Sequence, residues 1–200
     1  MIMTQDFFNI VLLGAPGSGK GTQAVLLKEK YQLEHASTGD LYRKEMAAAS
    51  PIGMRAKEII DCGGLCPDEL TLDMLHKFYT SCKDTQGFLL DGVPRTLEQA
   101  QMMGGIGYPH IIPVAVAVYI EVDENIVVER LSIRAKEQNR VDDSPEVIRQ
   151  RIVLYEQQTK PLIEYYQTQN KLLKVNGMQS VENVFSDICK VIDQFKYQTH

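Results

Sequence analysis

The sequence predicts an α/β fold: a three-layer sandwich in which a central five-stranded parallel sheet carries helices on both faces. Three observations predict it. Five short candidate strands are separated by segments of helical spacing, and strands that alternate with helices build a parallel sheet covered on both sides. The clearest of them, 7–13, 87–91 and 113–120, are nearly continuously apolar, the pattern of strands buried on both faces rather than one. Finally, 200 residues are enough for one full core, so residues 1–200 read as a single domain.

The elements follow in order. Phe7-Phe8-Asn9-Ile10-Val11-Leu12-Leu13 is the first strand and stops at Gly14; a helix follows over 19–30. Residues 33–37 form a second short strand, and two helices, 41–49 and 52–61, are split by Ser50-Pro51. Leu70, Met74 and Phe78 recur at four-residue spacing inside a helix over 67–82. Gly87-Phe88-Leu89-Leu90-Asp91 is the third strand, 113–120 the fourth, and Asp123 opens a helix to about Arg134. Ser144-Pro145-Glu146 pairs a capping serine with proline at the first helical position, starting a long helix through Tyr166 that Pro161 is expected to kink. A last strand, 172–175, and a last helix, 181–195, complete the chain. There is no internal repeat and no low-complexity linker.

With 44% hydrophobic and 24% charged residues the composition is that of a soluble globular protein. No apolar run approaches the roughly 18 residues of a membrane span, so no membrane partner is expected. No basic residue precedes the first apolar stretch, so no secretory signal is expected. Cys62, Cys66, Cys82 and Cys189 are then expected as free thiols and the compartment as cytoplasmic. A net charge of −5 argues against a general nucleic-acid binder but not against a small anionic substrate.

The chemistry begins at residues 14–23, GAPGSGKGTQ. This stretch fits the phosphate-loop pattern G-x-x-x-x-G-K-[ST] except that Gly21 stands where Ser or Thr usually holds magnesium, and Thr22 follows one step later. It sits where a strand ends and a helix begins. There glycines turn backbone N–H groups toward an anion, the helix N-terminus adds its dipole, and Lys20 supplies a mobile cation. The spelling GxPGxGKGTQ resembles the phosphate loop of the nucleoside monophosphate kinase family, in which Gly-Thr normally follows the lysine. The resemblance implies the P-loop nucleoside triphosphate hydrolase-like sandwich with two additions, an acceptor-binding helical segment over 37–66 and a short lid over 133–142. It also implies that magnesium, brought with ATP, is held largely through water and a carboxylate after a later strand, here Asp91.

Two further motifs extend the likeness. Ser37-Thr38-Gly39-Asp40-Leu41-Tyr42-Arg43 resembles the family's STGDLLR, and Asp91-Gly92-Val93-Pro94-Arg95-Thr96 resembles DGFPRT, with Val93 replacing the usual aromatic. Gln99 falls where the family reads the adenine edge, and Gly63-Gly64-Leu65-Cys66-Pro67 matches the segment whose backbone closes over the AMP base. Arg130, Arg134, Arg140 and Arg151 repeat the family's arginine spacing, including Arg140-Val141-Asp142-Asp143. Phosphoryl transfer spreads negative charge over equatorial oxygens, which guanidinium forks stabilise. By resemblance, Gly17, Ser18, Gly19, Lys20, Gly21, Thr22, Arg130, Arg134 and Gln179 serve ATP. Thr38, Gly39, Arg43, Gly64, Leu65, Cys66, Gly92, Val93, Pro94, Arg95, Gln99, Arg140 and Arg151 serve AMP. The catalytic set is Lys20, Arg95, Arg134, Arg140 and Arg151.

Only residues 135–139 separate Arg134 from Arg140, so the lid is of the short type and carries no cysteine. Cys62, Cys66, His76 and Cys82 have the residue types of a zinc site, but Cys66 lies in the acceptor segment, and no zinc is expected. Asp61-Cys62-Gly63-Gly64 fits the D-x-x-G of GTP hydrolases, yet no N-K-x-D base-reading motif follows. Thr38 and Thr96 match the adenylate kinase branch, whereas UMP/CMP-type kinases, the alternative reading, usually carry alanine and asparagine there. The expected reaction is therefore ATP + AMP ⇌ 2 ADP, with ATP, AMP and ADP as partners of a monomeric protein.

Overall fold

A computed structural model describes residues 8–82, 85–103, 113–137 and 144–199. Its sheet has five parallel strands: β1 (Ile10–Leu13), β2 (Glu34–Ser37), β3 (Phe88–Asp91), β4 (Val116–Glu121) and β5 (Leu172–Asn176), in the order β2-β3-β1-β4-β5. Alternate residues of each strand point to opposite faces, and the core divides accordingly. Val11, Leu13, Phe88, Leu90 and Ala117 pack on one face; Ile10, Leu12, Leu89, Val116, Val118 and Ile120 pack on the other. Helices α4 (Asp68–Ser81), α5 (Leu97–Met103) and α8 (Pro161–Thr168) cover the first face through Leu72, Leu75, Ala100, Met103, Leu162 and Tyr166. Helices α1 (Lys20–Tyr31) and α9 (Val181–Thr199) cover the second, with Val184, Ile188 and Ile192 on one stripe of α9. Leu89 is completely buried between strands and helices, and truncating such a residue to alanine costs about 2–5 kcal/mol.

The first strand is shorter than the expected 7–13. Asn9, fully buried, adds side-chain bonds to the backbone pairing at its start: its Oδ1 accepts from the Phe88 N–H at 2.9 Å and its Nδ2 donates to the Pro113 carbonyl at 3.3 Å, while its own carbonyl accepts from the Ala115 N–H at 3.0 Å. Residues 1–7 lie outside the described residues.

Two smaller clusters stand apart from the sheet. Tyr42 of α2 (Thr38–Ala47), Ala56 of α3 (Pro51–Asp61), Cys66 and Met74 form one; Val127 and Leu131 of α6 (Glu124–Glu137) with Ile148 of α7 (Pro145–Leu154) form the other. The caps of α2, α3 and α7 are serines, as residue type predicts: Ser37, Ser50 and Ser144 accept the N–H groups of Asp40, Gly53 and Val147.

The expected single helix through Tyr166 is broken. α7 ends at Leu154, a π-helical turn spans Tyr155–Thr159, and Pro161 starts α8. Proline has no N–H, and its ring collides with the carbonyl four residues back. The chain answers by widening the ladder just before it, with the Lys160 N–H donating to the Tyr155 carbonyl at 2.8 Å.

Candidate active site

In an open parallel sheet, ligands bind beyond the carboxyl ends of the strands where the winding reverses. Here β1 lies between β3 and β4, and the glycine loop leaves its carboxyl end. Ser37 ends β2 and Thr38 follows it, Gly92 to Arg95 follow β3, and Gly177 to Val181 follow β5, all at that same end. A cavity of about 860 Å³ opens there.

The loop is built as a donor cradle. Gly19 caps α1 at φ 98°, a left-handed conformation that side chains resist, and offers no side-chain bond to the first N–H groups of the helix. No acidic residue sits in that first turn, so the positive helix end is left for an incoming anion. Lys20 Nζ donates to the carbonyls of Gly14 and Ala15, both at 2.8 Å, and lies 3.4 Å from Ser18 Oγ. Burial pulls its pKa down to about 8; Asp91 opposes the shift, while the like charges of Arg95, Arg151 and Arg134 add to it. Four cations thus converge on one small volume.

Asp91 ends β3 with its side chain 15% exposed. Burial alone would raise its pKa, but His35, Lys20 and Arg95 outweigh burial and hold the carboxyl below its ordinary range. His35 Nε2 lies 3.9 Å from Asp91 Oδ2, too far for a direct hydrogen bond, and this buried nitrogen has no hydrogen-bond partner. Gly21 faces the same carboxylate: a Cβ built there would lie 3.7 Å from Asp91 Oδ2. An ionised carboxylate beside a position left bare of side chain fits a hydrated magnesium ion held through water. No group of three or more His, Cys, Asp and Glu suited to holding a metal directly occurs among the described residues.

Beyond Asp91, Gly92 turns the chain at φ 83°, where a Cβ would meet Thr38 Oγ1 at 2.6 Å and an Arg95 nitrogen at 2.9 Å. That close approach lets the Gly92 carbonyl accept from both Thr38 Oγ1, at 2.9 Å, and Arg95 Nε, at 2.8 Å. Burial lowers the Arg95 pKa and Asp91 opposes it. Arg43 pairs with Asp40 at 2.5 Å on the cavity's more exposed rim. Across the cavity, an Arg130 guanidinium nitrogen donates to the Gly177 carbonyl at 3.1 Å.

All but one of the described residues assigned from the sequence to ATP, AMP or magnesium line this cavity: Gly17 through Thr22, Arg130, Arg134, Gln179, Thr38, Gly39, Arg43, Gly64, Leu65, Cys66, Asp91, Gly92, Pro94, Arg95, Gln99 and Arg151. The exception is Val93, which is 1% exposed and packs into the core with Leu72, Leu75 and Leu162. Arg140, with the rest of residues 138–142 of the 133–142 segment, lies outside the described residues. Cys66 is buried, with its thiol pushed up by burial, whereas Cys62 is exposed.

Sequence reasoning missed other lining residues, among them Gln23, His35, Thr71, Tyr155 and Thr159. Gln23 ends the glycine motif itself, and its Nε2 donates to the Val181 carbonyl at 3.0 Å, tying α1 to α9. Thr159 donates to the Arg95 carbonyl at 2.9 Å. It reaches the site only because of the π-helical turn, for which Pro161 was the one legible sign.

Comparison with known proteins agrees with this arrangement. The family model described as Adenylate kinase matches residues 12–171. The chain is 43% identical over 185 residues to the adenylate kinase of Bacteroides fragilis, covering 92% of this chain and 98% of that protein. It is 41% identical over 186 residues to that of Bacteroides thetaiotaomicron, covering 93% and 98%, and 43% identical over 183 residues to that of Stenotrophomonas maltophilia, covering 92% and 98%. A phosphate-loop motif and a match over most of the length make one conclusion: the chain belongs to the adenylate kinase family.

Proposed function

We propose that this protein is a phosphotransferase catalysing ATP + AMP ⇌ 2 ADP, and so balances the adenine nucleotides. One observation carries the reading: a single cavity is lined at once by the phosphate loop, the 37–66 segment and Lys20, Arg43, Arg95, Arg130, Arg134 and Arg151. Two polyanions can meet there only if their charges are neutralised, and these six cations supply that charge in an otherwise acidic chain. The acceptor is already an anionic phosphate, so the protein need not generate a nucleophile; it places acceptor and donor in line.

The roles follow. Residues 17–22 hold the ATP phosphates, Arg130 stacks on the donor base, and the chain at Gln179 closes that pocket. Thr38, Gly39, Arg43, Gly64, Leu65, Cys66, Gly92, Pro94, Arg95 and Gln99 hold AMP. Arg134, Arg151 and Arg140, the last outside the described residues, clamp the phosphates as the 133–142 lid closes and excludes water. The separate apolar clusters under α2–α3 and under α6–α7 support reading these segments as units beside the sheet. Asp91 would hold magnesium through water, and the ion would neutralise donor phosphate charge. No helix among the described residues is long and apolar enough to cross a membrane; we take the protein to be a cytoplasmic monomer.

The test is a coupled assay of ATP with AMP, CMP, UMP and GMP as acceptors. AMP should lead CMP and UMP by at least roughly tenfold in kcat/KM, equivalent to about 1.4 kcal/mol. Equal use of CMP would move the protein to the UMP/CMP type while leaving it a kinase.

A further inference from the structure

Gln99 is 2% exposed and lines the cavity. Its Oε1 accepts from the backbone N–H of Arg95 at 2.7 Å, and its Nε2 donates to Asp68 Oδ1 at 2.7 Å. The other Asp68 oxygen accepts from the Thr96 hydroxyl at 2.9 Å, and that hydroxyl oxygen accepts the backbone N–H of Gln99 at 3.1 Å. Every direction in this ring is set by chemistry: a backbone N–H can only donate, and a carboxylate can only accept. Flipping the carboxamide would set N–H against N–H at Arg95 and oxygen against oxygen at Asp68. Gln99 therefore has one orientation. Asp68, the first residue of α4, is not among the residues lining the cavity and acts from behind.

The orientation matters because a carboxamide offers two N–H groups and two oxygen lone pairs. The network uses one of each, leaving one donor and one acceptor for a base. Adenine presents an exocyclic amine beside an unprotonated ring nitrogen, a donor next to an acceptor. Guanine, hypoxanthine and uracil present a carbonyl beside a ring N–H, the reverse polarity. A carboxamide free to flip could satisfy either edge; a locked one satisfies a single polarity.

We propose that Asp68 is a positioning residue for acceptor specificity: held by Thr96 and acting with the Arg95 N–H, it locks the Gln99 carboxamide so that the site accepts the donor–acceptor polarity of adenine and rejects that of guanine, hypoxanthine and uracil. The inference rests on the reading of Gln99 as an AMP-binding residue. Cytosine shares the polarity of adenine, so this lock leaves CMP to be rejected by the size of the base. A site whose buried polar groups meet the wrong partners discriminates far more strongly than an apolar wall does.

The test is Asp68→Asn, assayed with ATP and either AMP or IMP, with circular dichroism to confirm folding. An asparagine can donate as well as accept, so one of the two groups that fix the orientation of Gln99 is lost and only the Arg95 N–H still favours it. The AMP-to-IMP ratio of kcat/KM should fall at least about tenfold, mainly through a higher KM for AMP, with the KM for ATP unchanged. An unchanged ratio, even with both acceptors slowed, would make Asp68 a purely structural residue and overturn the proposal. Should the variant fail to fold, the unaltered protein still decides. Purine riboside monophosphate lacks the 6-substituent and loses one bond, whereas IMP opposes like with like. The lock therefore predicts purine riboside monophosphate to be the better acceptor of the two; IMP matching or exceeding it refutes the lock. If AMP accepts no phosphate even from the unaltered protein, the proposed function itself has failed, a result distinct from either.

Discussion

At the scale of single residues, Lys20 makes the most direct link between environment and chemistry. Its pKa of about 8 is the result of burial, with three guanidinium groups adding to the effect. The lysine is charged below that value and neutral above it, so in the proposed role the nucleotide-free protein would lose its phosphate-binding cation as pH rises past about 8. Bound phosphates restore the charged form. Because kcat/KM reports the free enzyme and kcat the complex, kcat/KM for ATP should fall on the alkaline side from about pH 8 while kcat holds to higher pH. A kcat/KM flat to pH 9.5 would show that Lys20 is not the group that matters. Arg134 tests a different kind of contact. A guanidinium engaged mainly when charge is spread in the transition state should, on Arg134→Ala, lower kcat by roughly 10²- to 10³-fold while the AMP KM moves far less. Retention of more than half of the original kcat would reduce it to a surface charge.

At the scale of elements, every strand and most helices could be read from the sequence: apolar runs mark most of the strands, β2 (EHAS) being the exception, and serine caps are local signals. Two departures have physical causes. The helix α5 was missed although Thr96 and Gln99 stand at the spacing of a capping box; the Thr96 hydroxyl does cap the Gln99 N–H, but the Gln99 side chain bonds Arg95 instead of returning to Thr96. The π-helical turn was missed because its cause, Pro161, lies beyond it, and sequence alone does not say on which side a ladder gives way. That turn has a measurable function in the fold. Thr159→Val removes the bond to the Arg95 carbonyl, worth about 1 kcal/mol, and should lower Tm by about 2–4 °C for a domain of this size. An unaltered Tm would mean that the π-helical turn does not brace the Arg95 loop.

At the scale of the whole molecule, the candidate site was legible because its members sit at strand ends, where motif spacing survives in sequence. What stayed hidden depends on packing between distant segments. Gln23 meeting Val181, Asp68 meeting Gln99, and Val93 turning into the core rather than toward the cavity leave no pattern along the chain. The reading also makes the four thiols independent of metal: zinc chelation with magnesium restored should leave Tm unchanged, and stoichiometric zinc in the purified protein would overturn it. The central claim is transfer between nucleotides rather than to water, and ³¹P NMR of the protein with ATP, AMP and magnesium tests it most directly. The account predicts two ADP for each ATP consumed, no inorganic phosphate, and ATP and AMP in equal amounts when ADP alone is supplied; release of inorganic phosphate with AMP left intact would contradict it.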